Sequence, residues 1–148
     1  SPMSRGLGDV YKRQLKKIEK SGIRPTKQRR ILAKLIFEKG DRHISAENLF
    51  DEVKKEDRKI SMATIYNTLK QFTSLGLIRE IVVDQNKSLY CNNNKSHYHL
   101  YIEDEGKIHD IPTKNINLDI PSIPACLSLH NIDVIVRVRS LKEDQKKN

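Results

Sequence analysis

The sequence contains no tryptophan, and its two cysteines, Cys91 and Cys126, lie far apart and outside any C-x-x-C pair. Neither a disulfide framework nor a four-thiolate zinc site is therefore expected. No apolar run approaches the roughly 20 residues of a membrane-spanning helix. No segment has the charged head, apolar middle and small-residue cleavage site of a signal peptide. These absences predict a cytoplasmic protein that has no membrane partner.

What the sequence has in excess is positive charge. Over 148 residues, 28 Lys and Arg against 19 Asp and Glu give a formal net charge of +9 and an isoelectric point of about 9.6. This balance favours a polyanionic partner, with nucleic acid ahead of a membrane surface. The alternative is a lysine-rich surface that is only solvated. Since apolar residues make up 36 % of the chain, any single core must be modest.

Three amphipathic segments follow one another in the first half of the chain, and a hydroxyl residue able to cap a helix opens each of them. These caps are Thr26, Ser45 and Ser61. In the third segment the apolar residues recur at spacings of three and four, which predicts one buried stripe. The stripe comprises Met62, Ile65, Leu69 and Phe72. The opposite side carries small, amide and hydroxyl groups and few charges.

After Gly76 the hydrophobic period changes from helical to alternating. The runs "LIREIVV" and "SLYCN", separated by "DQNK", predict a β-hairpin. Three helices followed by a hairpin make a winged helix, which is a helix-turn-helix with a β wing. We assign residues 15–92 to this domain and place a hinge at residues 92–96, "NNNKS". Residues 1–14 are set aside as a disordered leader or an artefact.

The second half of the chain predicts a smaller domain over residues 96–140. "HYHLYIE" and "IHDIP" form a second hairpin around "DEGK", and "IDVIVRVRS" alternates as a strand does. A proline-containing connector of low periodicity separates the hairpin from that strand. Residues 141–148 are expected to be a disordered tail. The predicted fold class is α+β.

The outer face of the third helix suits base recognition, because the second helix of a helix-turn-helix lies in the major groove. Asn67 can pair bidentately with adenine, while Tyr66 and Thr64 can meet thymine methyl groups or phosphates. Ser61 at the helix N-terminus can hold a phosphate, and Arg24 could reach an adjacent minor groove. The candidate DNA contacts are Arg24, Arg29, Ser61, Thr64, Tyr66 and Asn67. The alternative is an ordinary amphipathic helix with a polar outside.

His97 and His99 lie two residues apart on a predicted strand, so their imidazoles share one face. Neutral imidazole is a common ligand of divalent transition metals. Asp110 on the returning strand could add an oxygen, and His43, near the start of the second capped helix, could add a third imidazole. Cys91 is either a soft ligand or an inert small hydrophobe. The alternative is two histidines on a solvated strand or packed beside tyrosines.

These motifs resemble, in order, those of the ferric uptake regulator (Fur) family of bacterial metal-responsive repressors. The resemblance covers about residues 15–140 and rests on "GIRPTKQRRIL", "HISAENLFDEV", "ISMATIYNTLKQFTSLGLI" and "HYHLYIEDEGKIHDI". Within the family, "HDIPTKNINLDIPSIP" and "HNIDVIVRVRSL" are most similar to the iron response regulator (Irr) branch.

The resemblance implies a homodimer, with an N-terminal winged helix-turn-helix domain and a small α/β dimerisation domain that has an antiparallel sheet. It also implies roles for the DNA contacts: Arg24 in the minor groove, Tyr66 and Asn67 on bases, and Ser61, Thr64 and Arg29 on the backbone. At the Asn67 position many relatives of the family have arginine.

The family's interdomain metal site maps onto His43, Cys91, His99 and Asp110, with Cys91 standing where the family usually has glutamate. The ligand implied is a divalent transition metal, either iron or, in vitro, zinc or manganese. The Irr branch is also associated with haem through the segment that contains His97 and His99. The implied function is a dimeric DNA-binding regulator of iron or haem homeostasis.

Two alternatives stay open at the level of sequence. One is a regulator of the same fold that senses zinc, manganese or peroxide, or that no longer senses metal. The other is an enzyme such as a metal-dependent hydrolase. We do not expect an enzyme, because no nucleophile–base pair, Gly-rich phosphate loop or paired acids accompany the histidines.

Overall fold

The computed structural model describes residues 2–142, with side chains from residue 8 onward. The chain divides into an N-terminal unit, Ser1–Asn94, and a C-terminal unit, Lys95–Asn148. The division falls inside the segment 92–96 that the sequence predicts as a hinge. Within the described residues, no helix combines the length and apolar character needed to cross a membrane.

The N-terminal unit contains four α-helices: α1 (Pro2–Lys20), α2 (Lys27–Phe37), α3 (Ala46–Lys55) and α4 (Met62–Ser74). The three predicted caps are confirmed, since each hydroxyl accepts a hydrogen bond from a backbone N–H three residues on. At the other end of α4, Gly76 adopts a φ of +73°. This conformation, which glycine adopts without strain, lets the Leu77 N–H donate to the Phe72 carbonyl at 3.0 Å.

The sequence predicts residues 1–14 as a disordered leader or an artefact, whereas the structure places residues 2–14 in α1. Val10 and Tyr11 pack against the hydrophobic core of the unit, and Gln14 is 5 % exposed. Pro2 stands at the first helical position of α1, where a missing N–H costs nothing. The stripe of Val10, Tyr11, Leu15 and Ile18 repeats with helical spacing and was overlooked.

The wing of the N-terminal unit is a three-stranded antiparallel sheet. The predicted hairpin is confirmed as β2 (Arg79–Asp84) and β3 (Lys87–Cys91). A further strand, β1 (His43–Ile44), pairs with β3 so that the order is β1-β3-β2. Because β1 has only two residues, it leaves no periodic signal in the sequence.

The core of the N-terminal unit lies where α1, α2, α3 and α4 meet. The rings of Phe37 and Phe72 are 2 % and 0 % exposed, and their centroids are 6.2 Å apart. Ile65 and Leu69 are fully buried as predicted, and Met62 packs against them from a partly buried position. Anchoring this apolar stripe leaves the opposite side of α4 at the surface.

The C-terminal unit has a three-stranded sheet of β4 (His97–Ile102), β5 (Lys107–Pro112) and β6 (Ile135–Val138). The order is β5-β4-β6, in which β4 and β5 are antiparallel and β4 and β6 are parallel. The α+β class is confirmed. The sheet is mixed rather than wholly antiparallel, because a connector of more than a dozen residues returns β6 in the direction of β4.

Residues 113–134 form that connector, and the described part of the C-terminal unit has one 3₁₀ turn, Thr113–Asn115, in place of an α-helix. It therefore differs from the predicted α/β domain. Pro121 and Pro124 interrupt the segment, which fits the absence of a helix there. Several large apolar side chains of the connector are exposed: Leu118, Ile120, Ile123, Leu127 and Leu129. Of the predicted disordered tail, residues 143–148 lie outside the described residues.

Candidate nucleic-acid interface and metal centre

The exposed side of α4 carries the base-reading residues that the sequence predicts. Tyr66 is 46 % exposed and Asn67 is also exposed, whereas Ile65, which directly precedes them, is fully buried. The Ser61 hydroxyl accepts from the Thr64 N–H at 3.1 Å and lies 3.0 Å from the Thr64 hydroxyl. The helix N-terminus is thereby fixed at the surface, where its N–H groups favour an anion.

Arg24 and Arg29 meet at the entry of α2. The Arg29 guanidinium donates to the Arg24 carbonyl at 2.5 Å, and the Arg30 guanidinium donates to the Pro25 carbonyl at 3.0 Å. The first turn of α2 contains no acidic residue. Cations at the positive end of a helix oppose its dipole, so this arrangement is unfavourable for the isolated helix and favourable for holding a polyanion.

Sequence reasoning missed one residue of this surface. Glu47, in the first turn of α3, accepts a hydrogen bond from the Tyr66 hydroxyl at 2.9 Å. This hydrogen bond raises the pKa of the Tyr66 phenol, with smaller contributions from burial and from the Glu47 charge. The two residues are nineteen positions apart in the sequence and give no local signal, because only the packing of α3 on α4 brings them together.

In the C-terminal unit, His97, His99 and Asp110 converge as predicted. The Nε2 atoms of the two histidines are 2.9 Å apart, and Asp110 Oδ1 lies 3.3 Å from the first and 3.5 Å from the second. His97 and His99 are 6 % and 4 % exposed. The register of the antiparallel pair sets this geometry, since it places His99 directly opposite Asp110.

A hydrogen bond fixes the tautomer of His97. Its Nδ1 lies 2.5 Å from the Lys95 carbonyl, which can only accept, so Nδ1 must carry the proton. In neutral His97 the Nε2 atom then holds a lone pair directed at His99 and Asp110. Metal-ligating histidines adopt this arrangement, in which the ring nitrogen that does not bind the metal donates to a carbonyl.

The donor set fits a small divalent ion. Ligand atoms about 2.1 Å from one tetrahedral ion lie roughly 3.4 Å apart, which is close to the separations among His97, His99 and Asp110. The Nε2 atoms of His97 and His99 converge on one point, so the two histidines cannot bind opposite faces of one haem.

The other two predicted ligands lie in the N-terminal unit. His43 is on β1, not at the start of a helix, and its register partner on β3 is Cys91. The His43 ring nitrogen and the Cys91 sulfur are within 4.8 Å of each other, and Cys91 is 1 % exposed. Their participation in one site with the histidines of β4 stays a prediction.

Comparison with known proteins supports the family suggested by the sequence motifs. The model of the ferric uptake regulator family matches residues 20–136. The peroxide-responsive repressor PerR of Staphylococcus aureus (strain Mu50) is 30 % identical over 100 residues, which cover 68 % of this chain and 67 % of the relative.

Solved structures confirm the fold. The ferric uptake regulator of Francisella tularensis with iron superposes with a TM-score of 0.67 at 21 % identity, covering 84 % of this chain and 96 % of that one. The Campylobacter jejuni peroxide stress regulator superposes with a TM-score of 0.58 at 25 % identity, covering 87 % and 97 %. The chain belongs to the ferric uptake regulator family, whose members are transcription regulators and not enzymes.

Proposed function

We propose that the chain is a homodimeric, sequence-specific DNA-binding regulator whose DNA affinity responds to a divalent transition metal in iron homeostasis. The observation that carries this proposal is the exposed polar face of α4, anchored by a buried apolar stripe. The net charge of +9 supplies the long-range attraction to DNA. Such a role agrees with the expected cytoplasmic location.

In this proposal α4 enters the major groove of each half-site. Asn67 pairs with adenine, Tyr66 contacts a neighbouring base, and Ser61 and Thr64 hold the adjacent phosphate. Arg24 contacts the adjacent minor groove, and Arg29 contacts the backbone beside it. A two-fold dimer then requires a roughly palindromic operator whose half-sites are one or more helical turns apart.

Selection of DNA from a random pool, followed by affinity measurements at two salt concentrations, tests this interface. Asn67→Ala should lose about 1–3 kcal/mol of binding and relax the preference at one base pair. Arg29→Ala should weaken binding to all sequences and reduce the salt slope by about one. Lys107→Ala, an exposed lysine of the C-terminal unit, is the charge control. Full sequence preference in Asn67→Ala would refute the assignment.

We further propose that His97, His99 and Asp110 hold the metal. A bound divalent ion supplies a fixed positive charge that locks its ligands in place. Calorimetric titration with Mn²⁺ and Zn²⁺ should show at least a tenfold weaker affinity for His99→Ala than for the wild type. His109→Ala is the matched control, because His109 precedes Asp110 on β5 and faces the opposite side of the sheet. Unchanged affinity in His99→Ala would refute the site.

His43 and Cys91 are proposed as additional ligands of that ion. The support is the family motif together with the proximity of these two side chains within their own unit. Replacement of Cys91 by serine should shift the preference from soft Zn²⁺ toward Mn²⁺, since thiolate favours the softer ion. Cys126→Ser, which changes an exposed cysteine, is the control and should alter neither affinity.

The homodimer is proposed from the apolar connector. Leu127 and Leu129 are 64 % and 52 % exposed in the single chain, and Leu118, Ile120 and Ile123 of the same connector are exposed as well. Several exposed large apolar side chains in one segment favour an interface. Sedimentation of the double variant Leu127→Asp, Leu129→Asp should show monomer where the wild type shows dimer. A wild type that sediments as a monomer would remove this part of the proposal.

Peroxide sensing is the second candidate function, because both the S. aureus relative and the C. jejuni structure are named for it. If it holds, hydrogen peroxide should abolish DNA binding of the Fe²⁺-loaded protein and leave the Zn²⁺-loaded protein unaffected, since Zn²⁺ has no redox chemistry. If DNA binding of the Fe²⁺-loaded and Zn²⁺-loaded proteins resists hydrogen peroxide equally, the protein responds to metal and not to peroxide. Haem, which the sequence motifs suggested, draws no support from the geometry of His97 and His99.

A further inference from the structure

The hydroxyl of Tyr66 has one proton, and it is committed to Glu47. The 2.9 Å bond joins two exposed side chains on neighbouring helices. Glu47 stands in the first turn of α3, directly after the Ser45 cap. A carboxylate is stabilised there by the helix dipole, so it remains a charged acceptor at the surface.

This pair lies at the edge of an open crevice of about 500 Å³ between the start of α3, α4 and the wing. Its lining comprises Ser45, Ala46, Glu47, Tyr66, Asn86, Lys87, Ser88 and Tyr90. Tyr90 donates to Glu80 at 3.4 Å, and burial followed by the Glu80 charge raises its pKa to about 12. Both phenols of the crevice therefore direct their protons at carboxylates.

We propose that Glu47 is a specificity-determining residue of the DNA interface, because it withdraws the Tyr66 proton from the groove and makes Tyr66 an acceptor-only reader. The inference rests on the proposed DNA-binding function and deepens it. With its proton engaged, Tyr66 offers a base only oxygen lone pairs and the edge of its ring.

The donor and acceptor pattern of the major groove decides which bases match this surface. Adenine and cytosine present an exocyclic amine that can donate to the Tyr66 oxygen, and thymine presents a methyl group for the ring. Guanine presents two acceptors, N7 and O6. Neither can form a hydrogen bond with the Tyr66 oxygen, which is itself an acceptor, so these groups stay unpaired. Tyr66 should therefore reject guanine at the position it reads, which is discrimination by exclusion.

Glu47 should also weaken DNA binding as a whole, since a carboxylate near phosphates is repelled by them. Its removal thus has two opposite effects. Affinity for all DNA should rise, and discrimination against guanine at one position should fall. A residue that merely stabilised the fold or the orientation of α4 would lower both quantities on removal.

The first experiment measures full-length protein on a duplex selected by the wild type from a random pool, and on variants with guanine at each position of a half-site. The wild type should bind the guanine variant at one position about tenfold more weakly than the selected duplex. In Glu47→Ala that penalty should shrink to about threefold or less, while affinity for unrelated DNA rises.

Two variants complete the design. Asp51→Ala removes an exposed charge one turn further along α3, so it should raise affinity for unrelated DNA and keep the guanine penalty. Tyr66→Phe removes the hydroxyl, so adding Glu47→Ala to it should change the guanine penalty no further. Independent effects of the two substitutions on that penalty would overturn the inference.

A measurement without DNA separates the failure of this inference from the failure of the proposed function. In an NMR pH titration of labelled tyrosines, the Tyr66 phenol of the wild type should titrate above its ordinary value of 10.0, and Glu47→Ala should bring it back toward that value. No shift would overturn the inference alone. A wild type without any DNA sequence preference would overturn both proposals.

Discussion

The N-terminal unit buries most of its large apolar side chains, whereas those of the described part of the C-terminal unit are mostly half-buried or exposed. In the first, a continuous core runs through all four helices and reaches the wing at Tyr90. In the second, the buried side chains of the described residues 95–142 are His97, His99 and Tyr101. Two of these three are metal-ligating types.

This difference indicates where each unit obtains its stability. Buried apolar area stabilises the N-terminal unit directly. The C-terminal unit buries imidazoles, which cost free energy unless they are hydrogen-bonded or ligated, and it leaves leucine and isoleucine in water. We infer that the second unit depends on binding, of an ion and of a second copy, and is the part that responds to a signal.

The largest effect should come from the core of the N-terminal unit. Phe72→Ala removes a fully buried ring next to Phe37 and should cost about 3–5 kcal/mol in the free energy of unfolding. The loss should not depend on protein concentration or metal, because the contacts lie within one unit. Urea titration followed by circular dichroism measures it.

Val82→Ala on the wing is the control for that substitution. Val82 is 54 % exposed, so its truncation should change stability by no more than about 0.5 kcal/mol. A Phe72→Ala loss below about 1 kcal/mol would mean that the helices are not held by this core, and the contrast between the units would fail.

Metal should stabilise the C-terminal unit. At 100 times its dissociation constant, Zn²⁺ should stabilise the folded state of the site by about 2.7 kcal/mol. Hydrogen exchange should slow in β4 and β5, with peptides from α2 as the internal reference. Asp110→Asn should lose the effect. Equal protection of α2 and β4 would indicate one cooperative body and remove the distinction.

The sequence predicted the N-terminal unit well because its signals are local. The helices α2, α3 and α4 each have a cap and an apolar stripe of their own, and the wing has a turn between two alternating runs. What it missed there was either too short to show a period, as with His43–Ile44 in β1, or masked by Gly and Pro, as with α1. The bond from Tyr66 to Glu47 was invisible because it depends on the packing of two helices.

The C-terminal unit was predicted less completely because fewer of its features are set by local sequence signals. Alternation located β4 and β5, and period two placed His97 and His99 on one face. The parallel pairing of β6 with β4 is a long-range choice that no local pattern encodes. Asp110 was found because antiparallel pairing in a tight hairpin fixes its position opposite His99.

A smaller effect is expected from a polar contact inside the N-terminal unit. Arg42 donates two hydrogen bonds to the Glu52 carboxylate at 3.0 and 2.9 Å, and Lys39 donates a third at 2.7 Å. Burial raises the pKa of Glu52, but the bonds from Arg42 and Lys39 outweigh it and hold the pKa below 4.5. Glu52→Gln should cost about 1 kcal/mol at neutral pH.

The pH dependence of that loss follows from the direction of the shift. A carboxyl whose pKa is lower in the folded state stabilises the fold above the unfolded value and loses this contribution as pH falls through the folded value. The difference between wild type and Glu52→Gln should therefore be full at neutral pH and shrink below 4.5. Urea titrations across this range measure it, and a difference that grows in acid would contradict the assignment.

The smallest effect should come from the equivalent pair in the C-terminal unit. Arg139 lies 3.3 Å from Glu103 with its side chain 78 % exposed, compared with 21 % for Arg42. Water and salt screen such a pair, and ordering two long side chains costs entropy, so Arg139→Ala should cost less than about 0.5 kcal/mol. A loss as large as that of Glu52→Gln would mean that surface pairs stabilise the second unit without metal or a partner, and its dependence on binding would no longer follow.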